Sequence, residues 1–111
     1  MTELVDVWIN CANAEEAEHI AAAAIEARVA ACANIFAPIT SAFRWHGRVE
    51  TETEVPLLLH TRAELFDALS ELVARNHSYD VPGIIAVPVS HVNPPYRDWL
   101  IAETGAPAGQ A

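Results

Sequence analysis

The side chains with which this sequence could do chemistry are two cysteines, five histidines and a group of aromatic and acidic residues towards the C-terminal end. Tyr79, Tyr96 and Trp99 can wall a pocket together with His60, His77 and Asp80, because aromatic faces with a few titratable heads suit a small-ligand site. The competing reading has Tyr96 and Trp99 only capping a sheet edge. Cys32 stands at a helix-to-strand junction, either as a pocket thiol or soft-metal ligand, or as small-residue packing. Glu50, Glu52 and Glu54 alternate along one strand, about 7 Å apart by the strand rise. Such a stripe can hold a hard cation, but it more often faces solvent or pairs across a hairpin, here with Arg44 and Arg48. His77 and Asp80 could act as an acid–base pair. Against that stands the lack of a Ser/His/Asp order, of HExxH and of a glycine-rich phosphate loop, with only four glycines in the chain. These patterns favour a binding protein over an enzyme. His19, His46 and His91 read as surface residues.

The elements that must position these groups follow from periodicity. Leu4 to Cys11 reads as a strand with Val5, Val7, Ile9 and Cys11 on one face. Asn13 with Glu16 forms a capping-box pattern, and a helix should run to about Ala31 with a buried stripe of Ala17, Ile20, Ala24, Ala27 and Ala31. Cys32 to Trp45 reads as a second strand interrupted at Pro38. His46-Gly47 turns the chain, and Arg48 to Thr61 is a third strand whose Val55–Leu59 run is apolar on both faces and so buried on both. Thr61 with Glu64 repeats the capping-box pattern ahead of a helix carrying Leu65, Ala68, Leu69, Leu72 and Val73, ending near Asn76. Gly83 to Val89 is a fourth strand, and Asn93-Pro94-Pro95 opens a short helix. The order β-α-β-β-α-β predicts an α+β, ferredoxin-like antiparallel sheet with two helices on one face, in one domain over 1–105. Residues 106–111 read as a loose tail.

The chain is 111 residues long and 52% hydrophobic, enough for its own core without disulfide or metal staples. Its formal charge of −9 disfavours nucleic acid and anionic membrane as partners and favours cations or a basic protein surface. The cysteines form neither a C-x-x-C pair nor a disulfide framework. An acidic N-terminus and the lack of an apolar run of membrane length point to the cytoplasm. A 14-residue strand would span about 46 Å, against a diameter of about 34 Å for a compact domain of this size. The hairpin tip near Trp45-His46-Gly47 must therefore project, and sister chains covering its edges and its Phe43 and Trp45 would remove that liability.

In order along the chain stand Ala31-Cys32-Ala33-Asn34-Ile35, Thr40-Ser41, Phe43-Arg44-Trp45-His46-Gly47, Glu54-Val55 and Thr61-Arg62. They are followed by His77-Ser78-Tyr79-Asp80-Val81-Pro82, Ile85 to Val89, and Tyr96 with Trp99. This ordered set, over about Val5 to Glu103, resembles the CutA divalent-cation-tolerance family. The resemblance implies a homotrimer, similar in assembly to the PII signalling proteins, with copper (Cu2+) or another divalent cation or small ligand bound at intersubunit clefts and no accepted enzymatic activity. Cys11 and His77 match the family's proposed copper ligands, a thiolate and an imidazole that suit copper or zinc. The structural reading, a buried strand-end thiol and a helix cap, is favoured over tight metal binding and leaves weak binding open. Three positions depart from the family: His60 stands where lysine is usual, Ser78 replaces proline, and Gly83 replaces an acidic residue. A PII-like signal transducer and a purely structural assembly are the alternative functions.

Overall fold

The computed structural model describes residues 2–105; the tail expected over 106–111 lies outside them. Strand β1 (Leu4–Cys11) leads into helix α1 (Ala14–Glu26). Strands β2 (Cys32–Ile35) and β3 (Ile39–Trp45) precede the long β4 (Arg48–Arg62). A 3-10 turn (Ala63–Leu65), helix α2 (Phe66–Asn76), strand β5 (Ile84–Pro88) and helix α3 (Pro94–Glu103) complete the described residues. The sheet order is β2-β4-β1-β5, with β3 continuing along β4. All pairings are antiparallel, so the ferredoxin-like expectation holds.

The period of two sorts the sheet into faces. Val5, Val7, Ile9 and Cys11 of β1, with Val55, Leu57 and Leu59 of β4, pack against Ala17, Ile20 and Ala24 of α1 and Leu69, Leu72 and Val73 of α2. Alanines on α1 let that helix approach the sheet closely. The Val55–Leu59 run is buried throughout, as its two-sided apolar pattern requires. A smaller cluster of Leu4, Ala31 and Leu100 seats α3 at one end of the opposite face.

Asn13 caps α1 as expected: its Oδ1 accepts the Glu16 N–H at 2.8 Å. Glu16 reaches back to the Ala12 N–H at 2.8 Å rather than to the Asn13 amide. Replacing Asn13 with alanine should cost about 1 kcal/mol, seen as a lower urea midpoint at unchanged m-value.

Three local expectations are corrected. Helix α1 stops at Glu26, not near Ala31, so Ala27 is exposed and Ala31 is buried outside the helix. Arg28 takes φ +61°, and the Val29 N–H to Ala24 O and Arg28 N–H to Ile25 O bonds close a Schellman motif. A non-glycine residue in this conformation costs about 1–2 kcal/mol. Its side chain offsets that by donating to Gly105 O at 2.7 Å and Ala102 O at 2.8 Å, capping α3. Secondly, Thr61 caps nothing. It is a fully buried β4 residue whose Oγ1 donates to Val29 O at 2.7 Å, while Glu64 pairs with Arg62 at 3.1 Å. Thirdly, the strand expected over Cys32–Trp45 is two strands, broken at 36–38, because Pro38 cannot donate to the ladder.

The β3–β4 hairpin projects, giving the molecule extents of 50 × 27 × 23 Å. The Glu stripe is not uniform. Glu50 lies 3.6 Å from Arg48 on its own strand, Arg44 faces the opposite side of the ribbon by register, and Glu54 is buried.

Candidate functional site

The residues expected to bind something fall at two ends of β1, on either side of the sheet. At the C-terminal end of β1, Cys11 ends the strand facing the helices, Glu16 sits in the first turn of α1, and His77 caps the C-terminus of α2. One ligand atom from each lies within 4.8 Å of the others. The geometry follows from the local structure: a strand end, a helix N-terminus and a helix C-terminus meet where the β-α-β crossing brings α1 beside α2.

Two of the three partners are already engaged. Glu16 accepts the Ala12 N–H with one oxygen and the Ser78 N–H, at 2.7 Å, with the other. Burial works against ionisation of this carboxyl, but those amides and the nearby His77 outweigh it and hold its pKa below the usual range. The same burial, reinforced by the Glu16 and Glu54 carboxylates, pushes the Cys11 thiol up to about 12. The His77 ring is held from both sides: Nδ1 accepts the Tyr79 N–H at 3.1 Å, so the proton resides on Nε2, 2.9 Å from Asn10 O and 3.7 Å from Glu16. A metal bound at Nε2 needs that proton on Nδ1 instead, which costs the Tyr79 contact. The donor set of thiolate, carboxylate and imidazole nevertheless fits a borderline divalent ion.

Tyr79 and Asp80 follow in the turn after His77. The Tyr79 hydroxyl donates to Glu54 Oε2 at 2.7 Å, and burial followed by that bond raises its pKa. Around Tyr79, Trp8, Phe43, Trp45 and Val81 line a groove of about 570 Å³ between the hairpin and the turn.

At the other end, His60, Cys32 and Asp6 share a row across the sheet. His60 Nδ1 lies 2.7 Å from Asp6 Oδ1, and the His60 and Tyr96 rings meet edge to face with centroids 6.2 Å apart. Tyr96 stacks obliquely on Trp99 at 5.4 Å, and its hydroxyl pKa is raised by burial and by a hydrogen bond with Cys32. A hollow of about 140 Å³ opens here between Asp6, His60, Tyr96 and apolar residues of α3 and β1. Within one chain, therefore, Tyr79 and Asp80 do not join His60, Tyr96 and Trp99 in a single pocket. Asp6 and Cys11 stand five residues apart on β1, about 17 Å at the strand rise.

Two residues of this region were read differently from sequence. Glu16 carried only a capping signal, although its position shortly after Cys11 was the clue. Glu54 read as one of a solvated stripe, yet it adjoins the doubly buried Val55–Leu59 run, which is where a strand enters the globule.

A β-α-β-β-α-β sheet with both crossing helices on one face and a projecting central hairpin defines a ferredoxin-like domain. The family profile described as CutA1 divalent ion tolerance protein matches residues 5–103. The divalent-cation tolerance protein CutA of Thermus thermophilus is 42% identical over 99 residues, covering 89% of this chain and 96% of that protein. Mouse protein CutA is 39% identical over 106 residues, covering 94% of this chain but 60% of its own length. This chain spans between 52% and 62% of the animal and plant relatives matched first. The crystal structure of CutA1 from Oryza sativa superposes with a TM-score of 0.90 at 39% identity, over 93% of this chain and 94% of that one. The chain belongs to the CutA divalent-cation-tolerance family. Its relatives carry the names of tolerance proteins rather than of enzymes, and no helix among the described residues is long and apolar enough to cross a membrane.

Proposed function

We propose that this chain forms a homotrimer that binds divalent cations, copper or zinc by donor type, weakly and reversibly at Cys11, Glu16 and His77, as a binding rather than a catalytic protein. The convergence of these three side chains carries the reading. Weakness follows from the contacts that must be given up: a thiol proton, and the amide that holds His77 Nδ1. Isothermal titration with Zn2+ and Cu2+ should show Cys11→Ser and His77→Ala each binding at least about tenfold more weakly, a loss of roughly 1.4 kcal/mol. Equal binding by both variants and the wild type would remove these residues as ligands.

The trimer is supported by the outer sheet face. Trp8, Ile85 and Val87 are exposed there, continuing into Ile39, Phe43 and Trp45 of the hairpin, and a run of exposed large apolar side chains on one face suits a subunit interface. A head-to-tail ring also suits the split pocket. Tyr79 and Asp80 of one subunit can meet His60, Tyr96 and Trp99 of the next only if unlike ends of the chain adjoin. The Asp6–His60 pair beside the 140 Å³ hollow favours a small ligand at that cleft, with PII-like signalling as its consequence. A pull-down of partner proteins that does not change when that ligand is supplied would leave only the binding or scaffolding roles. The two free thiols fit the reducing cytoplasm.

A further inference from the structure

The turn between α2 and β5 is tied down by the side chains that converge with Cys11. Among the described residues, no backbone–backbone hydrogen bond outside the helices and strands involves residues 78–82, so side chains must hold this stretch. The Ser78 N–H donates to Glu16 Oε1 at 2.7 Å and the Tyr79 N–H to His77 Nδ1 at 3.1 Å. Both backbone anchors therefore end on members of the Cys11–Glu16–His77 group. A third anchor lies further out, where the Tyr79 hydroxyl donates to Glu54 Oε2 at 2.7 Å. His77 leaves α2 with extended backbone, φ −96° and ψ 143°, and the Tyr79 ring closes over its imidazole with centroids 4.6 Å apart. The His77 and Cys11 side chains are fully buried beneath this turn.

The same atoms cannot hold the turn and a cation together. A neutral imidazole has one acceptor nitrogen. If His77 offers Nδ1 to an ion, the Tyr79 N–H is displaced directly. If it offers Nε2, the ring proton moves to Nδ1 and faces the Tyr79 N–H donor to donor. Either way the Tyr79 amide loses its acceptor. The Ser78 amide draws on the same Glu16 charge that an ion would use. Access imposes the same condition, since a buried imidazole and thiol need an entry path. We propose that residues 78–80 are a built-in competitor for the Cys11–Glu16–His77 site: the closed turn lowers the site's affinity for a divalent cation, and a loaded site releases the turn. This rests on the metal-binding reading above and adds the residues that regulate it. The coupling is reciprocal, so whatever loosens the turn tightens the site. Tyr79 gives the cleanest handle, because its hydroxyl bonds to Glu54 and to none of the three ligands.

Calorimetric titration of the full chain with Zn2+, joined to amide hydrogen exchange followed by NMR, tests the coupling. Tyr79→Phe keeps the ring on His77 and should bind Zn2+ at least about fivefold more tightly than the wild type. Ser78→Pro should do the same, because proline has no amide hydrogen and the extended backbone of His77 accepts a following proline. In the wild type, saturating Zn2+ should speed exchange of the Ser78 and Tyr79 amides. Without metal, Tyr79→Phe should speed exchange at Ser78, which a mere gain in free charge on Glu54 would not do. Where Ser78→Pro does not fold, Tyr79→Phe decides. Binding that depends on Cys11 but is equal in the wild type and both variants, or that leaves Ser78 and Tyr79 exchange unmoved, overturns the coupling and leaves the metal site standing. Zn2+ bound by none of these proteins removes the site, and the coupling with it.

Discussion

If the proposed trimer forms, Trp8→Glu is expected to convert it from a sedimenting mass of three chains to that of one, 12.0 kDa. Trp8 lies on the outer sheet face, in the row Asn34–Leu58–Trp8–Ile85, and its ring sits 5.5 Å from that of Phe36. It is 37% exposed in the single chain, and Ile85 beside it is 63% exposed. A central tryptophan of an interface is worth about 2–4 kcal/mol on truncation. A carboxylate in its place adds the cost of a desolvated charge, and in a closed ring every subunit carries the defect. The protomer itself should survive, because Trp8 points away from α1 and α2, and its far-UV circular dichroism should match the wild type. A variant that still sediments as three chains would remove the outer face from the interface.

Glu16→Ala should have the largest effect on the fold of one subunit, a loss of about 3 kcal/mol in urea unfolding. The carboxylate, 11% exposed, accepts one amide from the β1–α1 connection and one from the turn after α2, so its removal orphans donors in two separate segments. The effect has a definite pH sign. The carboxyl is held below its usual pKa in the folded state, so the unfolded chain takes up its proton first as pH falls. The stabilisation is complete above the unfolded pKa of 4.5 and is lost as pH drops through the lower folded value. Glu16→Gln keeps an acceptor oxygen but no charge. Its stability gap to the wild type should be present at neutral pH and close in acid. A gap that is constant with pH would show that ionisation of Glu16 contributes nothing to stability.

Much of this molecule was legible in single-chain patterns. The limits of β1, the Asn13 cap, the burial of Val55–Leu59 and the projecting hairpin all depend on neighbours in sequence or on strand length, which periodicity reports directly. The errors share one cause. Arg28 ends α1 because its side chain has the C-terminus of α3 to cap, and that helix is some seventy residues away. Thr61 looks like a helix cap, but its hydroxyl is claimed by Val29 from across the fold. Glu54 looks solvated until Tyr79, brought over by the turn after α2, covers it.

The candidate site divides along the same line. The family resemblance made Cys11 and His77 a soft-ligand pair, and residue types made Tyr79, Tyr96 and Trp99 pocket walls. The tertiary structure decided that Glu16 completes the first group, and that the second is split between the two ends of β1. Order along the chain determines which elements form and which face each side chain takes, because those depend on spacing of a few residues. Which side chains share a site depends on how the helices cross the sheet, and that crossing is set by packing between segments whose separation in sequence carries no periodic signal.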